Sequence, residues 1–155
     1  MTERSATHAT FVIERTYSAS PARVFAAWAD PSIKRRWFGG DQPPSVFDLD
    51  FRVGGREINR GVGPDGRTYT YEARYQDIVP DQRIVYAYDM HLDDRRISVS
   101  LGTVQIEPAD SGTRLTYTEQ GVFLDGLDTP EAREHGTREL LDALGAVLQR
   151  ESTPV

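Results

Sequence analysis

Apolar and polar positions follow two different periods along this chain, and the places where the period changes mark its elements. Phe11 to Tyr17 alternates as a strand. Ser20-Pro21 then has the form of an N-cap with proline at the first helical position. Val24, Phe25 and Trp28 follow at three- and four-residue spacing, which predicts one apolar helix face. Asp30-Pro31 stops that helix and caps a second, in which Ile33 and Trp37 share a face, and Gly39-Gly40 ends it. Helices this short do not stand alone, so the rest of the chain must clasp them.

From Val46 the period becomes two. Phe47, Leu49 and Phe51 alternate with Asp48 and Asp50 in a half-buried strand over Val46–Arg52. Val53-Gly54-Gly55 turns into a strand from Arg56 to Val62, and Gly63-Pro64-Asp65-Gly66 has hairpin chemistry. Thr68–Val79 puts Tyr69, Tyr71, Ala73 and Tyr75 on one face. Pro80-Asp81 leads to Arg83–His91, where Ile84, Tyr86, Tyr88 and Met90 share a face. After a charged turn over Asp93–Arg96, the apolar parity of Ile97–Glu107 changes between Leu101 and Val104, which predicts a bulge near Gly102. Asp110-Ser111-Gly112 then opens a strand from Thr113 to Val122.

Thr129-Pro130 starts a long helix, predicted over Thr129–Arg150. Leu140, Leu141, Leu144, Val147 and Leu148 form its apolar stripe, whereas Glu131–Glu139 is polar. Such a helix packs on a sheet with its C-terminal half and holds its first half over something less dry. The fold class is therefore α+β: a curved antiparallel sheet in the order β-α-α-β6-α, wrapped around a long C-terminal helix. A bent sheet and a straight rod diverge along their length, and the gap between them is a natural ligand site.

Composition narrows the function. At 155 residues the chain is read as one domain over 1–155, with its core at about 10–150. No apolar run is long enough to span a bilayer, and MTERSATHAT lacks the apolar region of a signal peptide, so a cytoplasmic location is expected. Without cysteine there is no disulfide framework, thiolate nucleophile or sulfur ligand. A net charge of −6 argues against a nucleic-acid partner. His8, in an expected tail, His91 and His135 have no metal-motif spacing, so no metal and no cofactor are expected. Lys34 is the one lysine in the chain; every other basic side chain apart from the histidines is arginine.

Several segments carry a family resemblance: SPARVFAAW, DPSIKRRWF, the GGR at Gly54–Arg56, GPDGR, IVPDQRIVY and GTRLTYTEQG. Together they resemble the START-related helix-grip (SRPBCC, polyketide cyclase-like) superfamily, over about residues 10–150. The closest likeness is to its branch homologous to the C-terminal domain of the activator of the Hsp90 chaperone ATPase. The resemblance implies the fold; members bind lipids, hormones and polyketides, cyclise polyketides, sequester toxins or assist chaperones, so it does not fix the activity. Two positions depart from the branch. Glu57 and Asn59 stand where bulky apolar residues face the cavity, and Gly136-Thr137 replaces a Gly-Trp pair before the leucine run. Both changes imply a larger, more polar interior.

The candidate ligand-binding residues are Trp37, Glu57, Asn59, Tyr71, Tyr86, Tyr88 and Thr137. Trp28 and Phe25 read as core. Six strand tyrosines (69, 71, 75, 86, 88 and 117) fit ordinary cross-strand pairing, but a dry core favours Phe or Leu because a buried hydroxyl needs a partner. Glu57 and Glu119 face inward by parity and are weak candidates for a catalytic base, with Arg56, Arg60 or Arg114 as possible salt-bridge partners. The leading expectation is a protein that binds a small hydrophobic or aromatic molecule, with a homodimer as the only association considered. A cyclase- or hydratase-type enzyme is the alternative, with tyrosines stabilising an enolate. A chaperone regulator follows from the branch name alone, and activation there resembles a two-domain task.

Overall fold

The structure, a computed structural model, describes residues 4–39 and 44–152. Seven strands form one antiparallel sheet in the order β1-β7-β6-β5-β4-β3-β2. They are β1 (Ala6–Tyr17), β2 (Val46–Leu49), β3 (Arg56–Val62), β4 (Thr68–Val79), β5 (Arg83–Leu92), β6 (Arg95–Ala109) and β7 (Gly112–Leu124). Helices α1 (Pro21–Ala29) and α2 (Pro31–Lys34) lie between β1 and β2, and α3 (Pro130–Ser152) ends the chain. The curved sheet and its C-terminal helix make this an α+β helix-grip fold.

Local chemistry sets the helix ends. The Ser20 side chain accepts from the Arg23 amide and Asp30 accepts from the Ser32 amide, caps that typically contribute about 1 kcal/mol each. Gly39 turns the chain at φ 110°, which a glycine tolerates; Gly40 lies outside the described residues. The C-terminal half of α3 buries Leu141, Leu144, Val147 and Leu148 and packs against β1 and α1. There the Tyr17 hydroxyl donates to the Leu141 carbonyl and Arg23 donates to that of Leu148.

Several boundaries differ from the sequence reading, each for a physical reason. β1 begins at Ala6, so His8 is not in a tail: it pairs with Val122 across an unbroken ladder to β7. β2 ends at Leu49 because residues 52–55 fold into a tight turn; Phe51 then packs against Phe25 and Tyr75. The turn after β5 is shorter than expected, since Arg95 and Arg96 already pair with Leu92 and His91.

No bulge occurs at Gly102, which is in register with Tyr86 and Glu119. The register shift lies instead opposite Met90 and His91, at Ile97. The apparent parity change needs no bulge. Val99 and Leu101 simply point to the solvent face, while Ser98, Ser100, Gly102, Val104 and Ile106 point inward. Gly102 is required for another reason: a Cβ there would lie 2.7 Å from the Tyr86 ring. That ring crosses the inner face over Gly102 to reach Tyr117.

Candidate functional site

Where the polar first half of α3 passes over the concave sheet face, it leaves a cavity of about 490 Å³. Four strand tyrosines form its floor: Tyr71, Tyr86, Tyr88 and Tyr117. Trp37, Phe38 and Gly39, just after α2, close one side, and Ala132, Gly136, Thr137 and Leu140 of α3 form the roof. Trp37 is fixed by its indole N–H, which donates to the Ala27 carbonyl at 3.0 Å, and by edge-on packing with Trp28. Phe38 meets Tyr71 edge-on, and Tyr71 leans on Tyr88 with ring centroids 4.8 Å apart. The result is a continuous aromatic wall.

The cavity has one polar end, built around Glu119. Its carboxylate accepts from the Tyr117 hydroxyl at 2.7 Å, the Tyr88 hydroxyl at 2.8 Å and Arg133 Nη1 at 3.2 Å. Arg133 also reaches the Tyr88 hydroxyl, Ser98 Oγ and Asp128. Tyr86 donates to Tyr117 at 3.2 Å, so the hydroxyls form a directed chain that terminates on Glu119. Burial pushes Tyr86, Tyr88 and Tyr117 above the usual phenol range, and Glu119 reinforces the shift, so these rings stay protonated as donors. Burial also works against the charge on Arg133, but Tyr88, Glu119 and Asp128 more than offset it and keep the guanidinium charged.

A second polar cluster lies in the core behind the Phe38 side. Lys34 Nζ is 2.6 Å from Glu57 Oε1, which also accepts from the Tyr75 hydroxyl at 2.6 Å. Both charged side chains are essentially unexposed. The ammonium sits 4.4 Å from the Phe38 ring centroid. Burial pulls Lys34 below the usual ammonium value, with Glu57 opposing. This ion pair ties α2, and with it the Trp37–Phe38 wall, to β3.

The structure thus separates the sequence candidates. Trp37, Tyr71, Tyr86, Tyr88 and Thr137 all line the cavity. Glu57 and Asn59 do not: they face inward but lie behind the wall, Glu57 in its ion pair and Asn59 against the turn at Gly39. The expected arginine partners are also wrong. Arg56, Arg60 and Arg114 point to the outer face, where Arg56 pairs with Glu72, Arg60 reaches Thr70 and Arg114 pairs with Glu107. Lys34 and Arg133 take their places. Tyr75 serves Glu57, and Tyr69 sits at the hairpin end, bonded to Asp65.

Sequence reasoning missed Lys34, Arg133, Asp128 and Ser98. Lys34 carried a signal as the single lysine among arginines, placed one turn before Trp37. Arg133 carried a weaker one, as the base among acidic neighbours in the first turns of α3. Among the described residues, no three His, Asp or Glu side chains are grouped as a metal ion requires. No described helix is long and apolar enough to cross a membrane.

Known proteins agree with this architecture. The family described as Activator of Hsp90 ATPase homolog 1-like protein matches residues 18–149. A solved protein from Rhizobium leguminosarum is 50% identical, with a TM-score of 0.92, over 96% of this chain and 99% of that one. One from Rhizobium loti is 52% identical, with a TM-score of 0.86, over 93% and 99%. A Chromobacterium violaceum protein is 27% identical, with a TM-score of 0.73, over 90% and 96%. No curated protein matches the chain. Sequence and fold together show that the chain belongs to the Activator of Hsp90 ATPase homolog 1-like family, within the helix-grip superfamily.

Proposed function

We propose that this chain is a binding protein for a small, flat, hydrophobic or aromatic molecule, held between the sheet and the first half of α3. One observation carries the reading: a cavity of about 490 Å³ with an aromatic wall along its length and a satisfied polar cluster at one end. That size and lining fall within the range of ligand sites, which are largely apolar with a few fixed polar groups. A region needed only for stability would be filled, because an unfilled cavity costs about 24 cal/mol per Å³ in core substitutions.

The cyclase- or hydratase-type reading draws on the same tyrosines, and the contacts of Glu119 with Tyr88 and Tyr117 have the carboxylate–phenol form it requires. Its base would be Glu119, which already accepts from three donors, one of them a guanidinium. A carboxylate so committed is poorly placed to take a proton from a substrate. Binding is therefore the better account, and the chaperone reading keeps only the family name in its support.

Native mass spectrometry of the protein purified from its own host tests this directly. The expected result is one bound species of constant mass, released on denaturation. Host-purified protein that carries none, together with no saturable binding of any aromatic probe, contradicts the reading.

A further inference from the structure

We infer that the cavity selects aromatic molecules that donate hydrogen bonds or carry positive charge, and rejects aromatic acids; this rests on the ligand-binding reading above. All four Nη protons of Arg133 are engaged, by Tyr88 and Glu119 on one side and Ser98 and Asp128 on the other. Tyr88 and Tyr117 donate to Glu119, and Tyr86 donates to Tyr117. Thr137 donates to the Arg133 carbonyl and Trp37 to that of Ala27. The Trp28 indole N–H and the Tyr71 hydroxyl have no protein partner, but both atoms are sealed within the wall. An incoming carboxylate therefore finds both Nη groups of Arg133 already engaged.

Acceptors remain open. Asp128 accepts one bond on each oxygen, from the Thr129 amide and from Arg133, about half the capacity of a carboxylate. Its side chain keeps 21% exposure. Thr137 Oγ1 has spent its proton and keeps its lone pairs. Charge points the same way. The lining holds three carboxylates, Glu119, Asp128 and Glu139, against the guanidiniums of Arg36 and Arg133. The whole chain, at −6, repels anions further. The wall also tolerates a cation: the Arg133 guanidinium lies 5.6 Å from the centroid of the Tyr88 ring, which lines the cavity. An aromatic amine thus meets open acceptors, excess negative charge and π faces, whereas an aromatic acid meets Nη groups already engaged and an excess of carboxylates.

Three probes on one ring system test this by isothermal titration calorimetry at about pH 7, where the amine is charged: 1-naphthylmethylamine, 1-naphthalenemethanol and 1-naphthoate. The expected order is amine, alcohol, acid, with the amine at least about tenfold tighter than the acid. In the Asp128→Asn, Glu139→Gln double variant the amine-to-acid ratio should fall several-fold. An acid bound as tightly as the amine, or an amine preference that survives in the double variant, overturns the inference. Failure of all three probes to bind would instead count against the ligand-binding reading beneath it.

Discussion

At the scale of single residues, the buried Lys34–Glu57 pair is a costly choice. Two charges are withdrawn from water and repaid by one short contact and the Tyr75 hydroxyl. Breaking such a pair on one side leaves an uncompensated buried charge, which typically costs about 3–5 kcal/mol; removing both charges is often close to neutral. Lys34→Met should therefore destabilise strongly in denaturant unfolding. Adding Glu57→Gln should recover most of the loss, because the amide oxygen still accepts from Tyr75. A single variant as stable as the wild type would show that the pair does not anchor α2. Residues of this kind were only half legible. The inward parity of Glu57 and Glu119 could be read from strand alternation, but their partners come from α2 and α3, and no spacing rule links position 34 to 57 or 133 to 119. Proximity guesses fell on Arg56, Arg60 and Arg114, whose own strand parity sends them outward.

At the scale of elements, α3 is two helices in one. Its second half is core, and its first half is the roof of the cavity. Gly136 and Thr137 decide how much room lies beneath: a Cβ at Gly136 would meet nothing within 4 Å, and the Thr137 side chain lines the space. Thr137→Trp adds an indole to that void, so it should weaken an aromatic probe at least about tenfold, equivalent to about 1.4 kcal/mol. Stability should be unchanged or improved, since space is filled without burying a charge. Unchanged probe affinity in a folded variant would take this helix position out of the site. Element order and most boundaries were legible because caps, turn glycines and period-two runs are local signals. The start of β1 was not, because ATHAT has no apolar alternation of its own and is held by pairing with β7. The supposed bulge at Gly102 failed for a similar reason. Exposed Val99 and Leu101 imitate a parity change, and only the Tyr86 ring explains the glycine.

At the scale of the whole molecule, the six buried tyrosines (17, 71, 75, 86, 88 and 117) have phenol groups raised above their ordinary value of 10.0, in each case chiefly by burial. The unfolded chain ionises them near that value, while the folded chain keeps them protonated. Their contribution is thus complete below about pH 10 and is lost as pH rises above it, by about 1.4 kcal/mol per pH unit for each ring. Lys34, shifted down, works in the opposite sense, but as one group against six. With a typical total stability of about 5–15 kcal/mol, the fold should collapse within one or two pH units above 10. Tyrosinate absorbance and far-ultraviolet circular dichroism should therefore change together, in one steep step. Gradual ionisation of most tyrosines near pH 10 with the fold intact would contradict the burial on which the cavity floor depends.

The central claim is that an aromatic molecule occupies the space between the tyrosine floor and the first half of α3. A protein-observed NMR titration with 1-naphthalenemethanol tests it most directly, because position and saturation are read together. Saturable shifts are expected at the Trp37 indole N–H and at the amides of Ala132, Gly136 and Thr137, lost or strongly weakened in Thr137→Trp. Shifts that do not saturate, or that fall instead on the outer sheet face around Val99 and Leu101, would contradict it.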